Sequence, residues 1–145
     1  MLTAAAVVVC ALDLLGRSVH STVPIKFLDS PPASASRTVE AFITRRPDTI
    51  YLITSSAAFR DATRGRGEPG SMDGCRKIAS IIVHEEWHLS HGDDEQGAYL
   101  AQLTTLMRLQ ADSAVLTSVR RSMAVVIAAQ KVRARPELVS VVRSP

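Results

Sequence analysis

The sequence predicts a small α+β domain, rich in helix and carrying one short sheet, and three observations carry that expectation. A chain of 145 residues matches the roughly 100–200 residues of one domain. Its composition, 46% hydrophobic and 21% charged with 7 Gly and 7 Pro, is that of a globular protein and excludes disordered, collagen-like and low-complexity chains. Strand-like runs cluster in the first half, whereas residues 98–135 hold no Gly or Pro and read as helix. The expected organisation is one domain over residues 1–145. Residues 1–70 give an N-terminal helix and short strands, 71–110 a pair of helices, and 111–145 a C-terminal helix and tail.

Residues 3–15 form an apolar helix closed by Gly16, a residue suited to the left-handed turn after a helix. Residues 23–29 (VPIKFLD) mix β-branched and aromatic side chains and read as a short strand. The following SPPASAS segment is a loop, because consecutive prolines join neither a ladder nor a helix interior. Residues 38–43 suit helix or strand equally. A turn at Arg46-Pro47-Asp48 leads into residues 49–54 (TIYLIT), the clearest strand of the chain, after which Ser55 or Ser56 caps a short helix through Phe59 and Ala62. Residues 64–70 (RGRGEPG) form an exposed, mobile loop by composition. Ser71 or Asp73 then starts a helix marked by Ile78, Ile81, Ile82, Glu85 and Leu89, which Gly92 stops. Asp93 caps the next helix, with Gln96 completing a pattern like a capping box. A break near residues 111–113 divides the remaining helical stretch in two.

The longest apolar run, residues 4–12, falls far short of the ~20 residues a bilayer requires. It also lacks the preceding basic residues of a secretion signal, and Asp13 interrupts its end. The expectation is therefore no membrane segment, with the compartment left open. Cys10 and Cys75 are too few for a disulfide scaffold; they could pair in an oxidising compartment, although two isolated thiols are more often small buried hydrophobes. Net charge is +3, but its distribution is uneven. Residues 78–107 contain no Lys or Arg and hold Glu85, Glu86, Asp93, Asp94 and Glu95, the pattern of a divalent-cation site. From Arg120 onward six basic residues face Glu137 alone. Without interleaved aromatics for base stacking, that tail reads as a solvated helix face, and nucleic acid is not the expected partner.

Residues 84–88 read His-Glu-Glu-Trp-His, an H-E-x-x-H pattern. On a helix, residues four apart lie one above the other, so His84 and His88 can aim ring nitrogens at one point, at the roughly 2.0–2.1 Å that zinc takes. Glu85 sits on the flank, placed to take a proton from a water molecule rather than to coordinate. A catalytic zinc needs a third protein ligand, from His91, Asp93, Asp94 or Glu95. His91 stands about 10 Å along the axis from His84, too far for one ion on a straight helix. Gly92 lets the chain turn back, and Glu95 in the next first turn is the expected third ligand. Asp94 is then available to accept from a ligand imidazole, His91 ends the helix or supports the ligands, and Tyr99 either packs in the core or donates to an oxyanion. Trp87 is expected in the core. Average composition yields the five-residue pattern by chance in roughly one such chain in a few hundred.

The run HEEWHLSHGDDEQGAY resembles the zincin metallopeptidases, in particular a minimal gluzincin-like type. The resemblance covers roughly residues 49–110, and only its HExxH core is specific. It implies His84, His88 and Glu95 as Zn2+ ligands, Glu85 as the catalytic glutamate, and residues 49–54 as an edge strand that binds an extended peptide. The gap from His88 to Glu95 is much shorter than in thermolysin-like enzymes, and the metzincin pattern of Gly followed by a third His is not met. The expected function is a zinc-dependent peptidase, a hydrolase acting on a peptide or protein substrate. The alternative is a non-catalytic zinc protein, structural or an interaction module.

Overall fold

The computed structural model describes residues 1–64 and 71–134 of the chain. Helix α1 (Ala4–Leu14) opens the fold. The Thr3 hydroxyl accepts from the backbone of Ala6, and a Schellman turn closes the helix: Gly16 takes φ +68°, with Arg17 N–H on Leu12 O and Gly16 N–H on Asp13 O. A short 3-10 turn (Val19–Ser21) leads to strand β1 (Ile25–Leu28), followed by β2 (Ala41–Thr44) and β3 (Thr49–Ile53). Helix α2 (Ala57–Thr63) is capped by Ser56, whose hydroxyl accepts from Phe59. Helices α3 (Ser71–His91), α4 (Glu95–Arg108) and α5 (Ser113–Ala134) complete the described residues, which amount to a small α+β fold. The break expected near 111–113 is present, with the Asp112 side chain accepting from Ala114 at the start of α5. Most of the loop expected at 64–70 and the tail from 135 lie outside the described residues.

The sheet order is β1-β3-β2, with β1 parallel and β2 antiparallel to β3. Residues 49–53 are therefore the central strand, which corrects the expectation of an edge strand there. Pairing explains the order: β3 is the most apolar strand, and a strand covered on both sides leaves no backbone group without a partner. The free edge beside α3 belongs to β2, whose sequence alone fitted helix and strand alike. Phe42 stacks on its cross-strand partner Tyr51 at 5.0 Å on one face. Ala41 and Ile43 join Ile50 and Leu52 on the other, against α1, α2 and α3.

Helix α3 is the hub. It packs against α1, α2, α4 and β2, and Ile78, Ala79, Ile81 and Ile82 sit in the core. Cys10 of α1 and Cys75 of α3 form a disulfide with Cα atoms 6.0 Å apart, which settles the pairing that the sequence leaves open. Spacing along the chain hides this pair: Cys10 shares the buried face of α1 with Val7 and Ala11, and the first turns of α3 lie directly against that face. Helix α4 covers α3, while α5 rests on α4 through a smaller cluster of Leu103, Leu106 and Val119. No helix among the described residues is long and apolar enough to cross a membrane.

Gly74 marks the closest approach of α2 to α3. A Cβ there would stand 2.6 Å from the Ala62 Cα and 2.8 Å from its backbone nitrogen. Because backbone cannot swing aside, Gly74→Ala is expected to destabilise the fold by about 1–3 kcal/mol, read from the denaturant midpoint. An unchanged midpoint would contradict this packing.

Candidate metal centre

The expected ligands converge. His84 and His88, one turn apart on α3, bring their Nε2 atoms to 3.2 Å from each other. Glu95, in the first turn of α4, places Oε2 at 3.4 Å from His84 Nε2 and Oε1 at 3.5 Å from His88 Nε2. Donors arranged tetrahedrally around an ion at such ligand distances stand about 3.4 Å apart, and the two Nε2 atoms, and each of them with its nearer carboxylate oxygen, are separated by about that much. Among the described residues this is the group of His, Cys, Asp or Glu side chains whose donor atoms come together, all within 4.8 Å.

Local structure explains the convergence. Gly92 takes φ +68° and turns the chain after α3, while its carbonyl accepts from His88 Nδ1 at 2.7 Å. That bond commits the Nδ1 proton and turns Nε2 toward the site. Asp94 caps α4, its Oδ1 accepting from Gly97 N–H at 3.0 Å, which corrects the expectation that Asp93 does so. With two aspartates in sequence after the glycine, only the path of the turn decides between them. The cap places Glu95 at the first helical position, facing α3, where the dipole favours its charge.

Two further expectations change. Asp94 supports no ligand imidazole; its Oδ2 accepts from Trp87 Nε1 at 3.3 Å. Trp87 is half-buried beside the α3–α4 turn and belongs to neither core cluster, and it stacks on His91 with ring centres 3.8 Å apart. His91 is the last residue of α3, one of the two places expected for it, and its Nδ1 donates to the Trp87 carbonyl at 3.2 Å, away from His84 and His88. Tyr99 sits edge-on to His84, with centroids 4.6 Å apart, and also touches the cluster beneath α5. Burial, followed by the charges of Glu95, Glu40 and Glu85, pushes its hydroxyl up to about 12, so it remains a proton donor at neutral pH.

Glu85 is 7% exposed, and burial raises its pKa, opposed by His84 and His88 and reinforced by Glu95. Three supporting residues escaped the sequence. Arg45, at the end of β2, donates to the His88 carbonyl at 2.6 Å and so anchors the last turns of α3. Gln102 meets His84 Nδ1 through Oε1 at 3.0 Å, and Ser80 lies behind Gln102. The available signal for Gln102 is its position seven residues after Glu95, two turns along the same helix face. No protein-family model matches the chain, and no curated protein or solved structure matches it either.

Without metal the site is an ion pair. The bond to Glu95, outweighing burial, lifts His88 from 6.5 to about 9, and the bonds to His84 and His88 lower Glu95 from 4.5 to about 2. The raised histidine stabilises the fold fully below about pH 6.5 and loses that contribution as pH rises through 9. The depressed carboxylate contributes above about pH 4.5 and is lost as pH falls through 2. Chelator-treated protein is thus expected to lose melting temperature between pH 6.5 and 9, and His88→Gln to lack that decline. Parallel melting curves for the two proteins would refute the pair.

Proposed function

We propose that this chain is a small zinc-dependent metallopeptidase. The observation that carries the proposal is the convergence of His84 Nε2, His88 Nε2 and the Glu95 carboxylate within 4.8 Å, with the buried Glu85 carboxyl one residue after His84. Two imidazoles and one carboxylate are a zinc donor set that leaves a fourth position for water or substrate. A zinc ion held by these residues would supply Lewis acidity, polarising a carbonyl and lowering the pKa of a water molecule to about 7. Glu85 serves as the general base: it takes the proton of the attacking water and returns it to the departing amine, so that one water and one peptide bond give an acid and an amine. Tyr99, protonated and set against His84, is available to donate to the oxyanion.

An extended substrate finds its sheet edge at β2 rather than at the central strand. The strand runs beside α3 between two charged contacts, Glu40 with Lys77 at 3.1 Å and Arg45 with the His88 carbonyl. Ile53 N–H bonds Glu40 O, so 40, 42 and 44 turn their backbone groups toward β3, while Ala41 and Ile43 turn theirs to the free edge. An added peptide strand could pair with those groups.

A second reading, a metal that braces the fold without catalysis, is favoured by one observation: the ligands come from two helices already packed together, so an ion would clamp α3 to α4. Variants separate the two. Glu85→Gln is expected to keep one equivalent of zinc and lose hydrolysis of quenched peptides by about 100- to 10,000-fold, whereas His88→Ala loses the metal. Hydrolysis retained in Glu85→Gln would sink the peptidase reading. Zinc binding without hydrolysis in the unmodified chain, together with unfolding on chelation, would favour the brace.

A further inference from the structure

We infer that Gln102 and Ser80 are positioning residues that fix the tautomer of His84, holding its proton on Nδ1 and its Nε2 lone pair toward the site, where a divalent cation would take it; this deepens the metal-site reading above. The inference stands on the polarity of a buried hydrogen-bond chain. Ser80 is fully buried and Gln102 is 4% exposed. The Ser80 hydroxyl donates to the Lys77 carbonyl at 2.7 Å, and a carbonyl can only accept. With its proton committed, Ser80 Oγ must accept, and it does so from Gln102 Nε2 at 3.3 Å. The amide is thereby oriented with Oε1 toward His84 Nδ1, 3.0 Å away, and that nitrogen must carry the proton.

Reversing the chain would sacrifice the bond to Lys77. It would gain only a 3.4 Å approach of an Nε2–H to Glu95, and would place a proton where the Nε2 atoms of the two histidines converge. The observed polarity is therefore favoured, and it turns the same nitrogen of both imidazoles, Nε2, toward the site, His88 through the Gly92 carbonyl and His84 through Gln102. A neutral amide here also orients the ring without adding charge beside Glu85 and Glu95, which already share the pocket.

The test uses the full chain, labelled with nitrogen-15, and reads imidazole nitrogen shifts in the zinc-free protein alongside zinc affinity by competition with a chelating dye. Neutral His84 is expected to show a protonated Nδ1 and a bare Nε2. Gln102→Met, similar in volume but without the acceptor, is expected to release the tautomer and weaken zinc binding by about 10- to 100-fold. Gln102→Glu keeps an acceptor for Nδ1–H and is expected to restore the tautomer and most of the affinity. Ser80→Ala frees the amide to flip and is expected to give a mixed tautomer. A loss of packing alone would lower the melting temperature without moving the nitrogen shifts. A proton on Nε2 in the unmodified chain, or undiminished zinc affinity in Gln102→Met, would overturn the inference. The unmodified protein's spectrum decides even where a variant fails to fold. An absence of hydrolysis with the tautomer and zinc affinity as expected would count against the peptidase reading alone.

Discussion

The junction of α3 with α4 encloses two imidazoles and two carboxylates in space largely closed to water, and that concentration of polar groups is the constraint around which the structure is arranged. A charge taken out of water is costly unless it is paired and hydrogen-bonded. Here pairing is nearly complete: Glu95 lies between the two histidines, His88 is tied to the Gly92 carbonyl and His84 to Gln102. Glu85, without such a partner, responds by holding its proton more tightly. Neighbouring elements follow from this arrangement. The glycine turn, the Asp94 cap and the Trp87–Asp94 bond set where α4 begins, and hence where Glu95 arrives. Gly97 is tied to the same geometry, since a Cβ there would stand 2.6 Å from Trp87 Nε1 and 2.2 Å from Asp94 Oδ2.

Local physics made much of this legible. The helical spacing of His84, Glu85 and His88 and the glycine stop at Gly92 were enough to bring three donors together on paper, and they do meet. The Gly16 turn, the Ser56 cap and the break before Ser113 likewise depend on backbone preferences within a few residues. Where the sequence misled, the deciding partner was distant. Residues 38–43 have no periodicity of their own, and β2 exists because Phe42 meets Tyr51 and Ala41 meets Leu52. The centrality of β3 depends on where β1 and β2 settle, which no single strand encodes. Cys10 and Cys75 are 65 residues apart, and only the packing of α1 on α3 shows that they meet.

The groups that support His84, His88 and Glu95 were hidden for a related reason. A first ligand must be His, Cys or a carboxylate, so chemistry narrows the candidates. An outer partner needs only an acceptor at the right place, and an amide, a hydroxyl or a main-chain carbonyl serves equally. Gln102, Ser80 and Arg45 belong to that wider class. The outward features of α5 lie at the other extreme: Arg120, Arg121 and Lys131 are exposed, with Val119 as the helix's one buried residue among those described, so its sequence reports mainly on solvent.

Helix α1 and the turn that follows it grip α3 at two levels. Cys10 is joined to Cys75 near the start of α3, and Arg17 pairs with Glu86 within the histidine turn, on the face turned away from the ligands. One clasp is covalent and the other ionic, and the two lie eleven residues apart along α3, or about 16 Å of helix. A rod pinned at two separated levels can neither slide lengthwise nor spin about its own axis. The spacing of the His84 and His88 rings is therefore set by the fold itself, before anything binds to them.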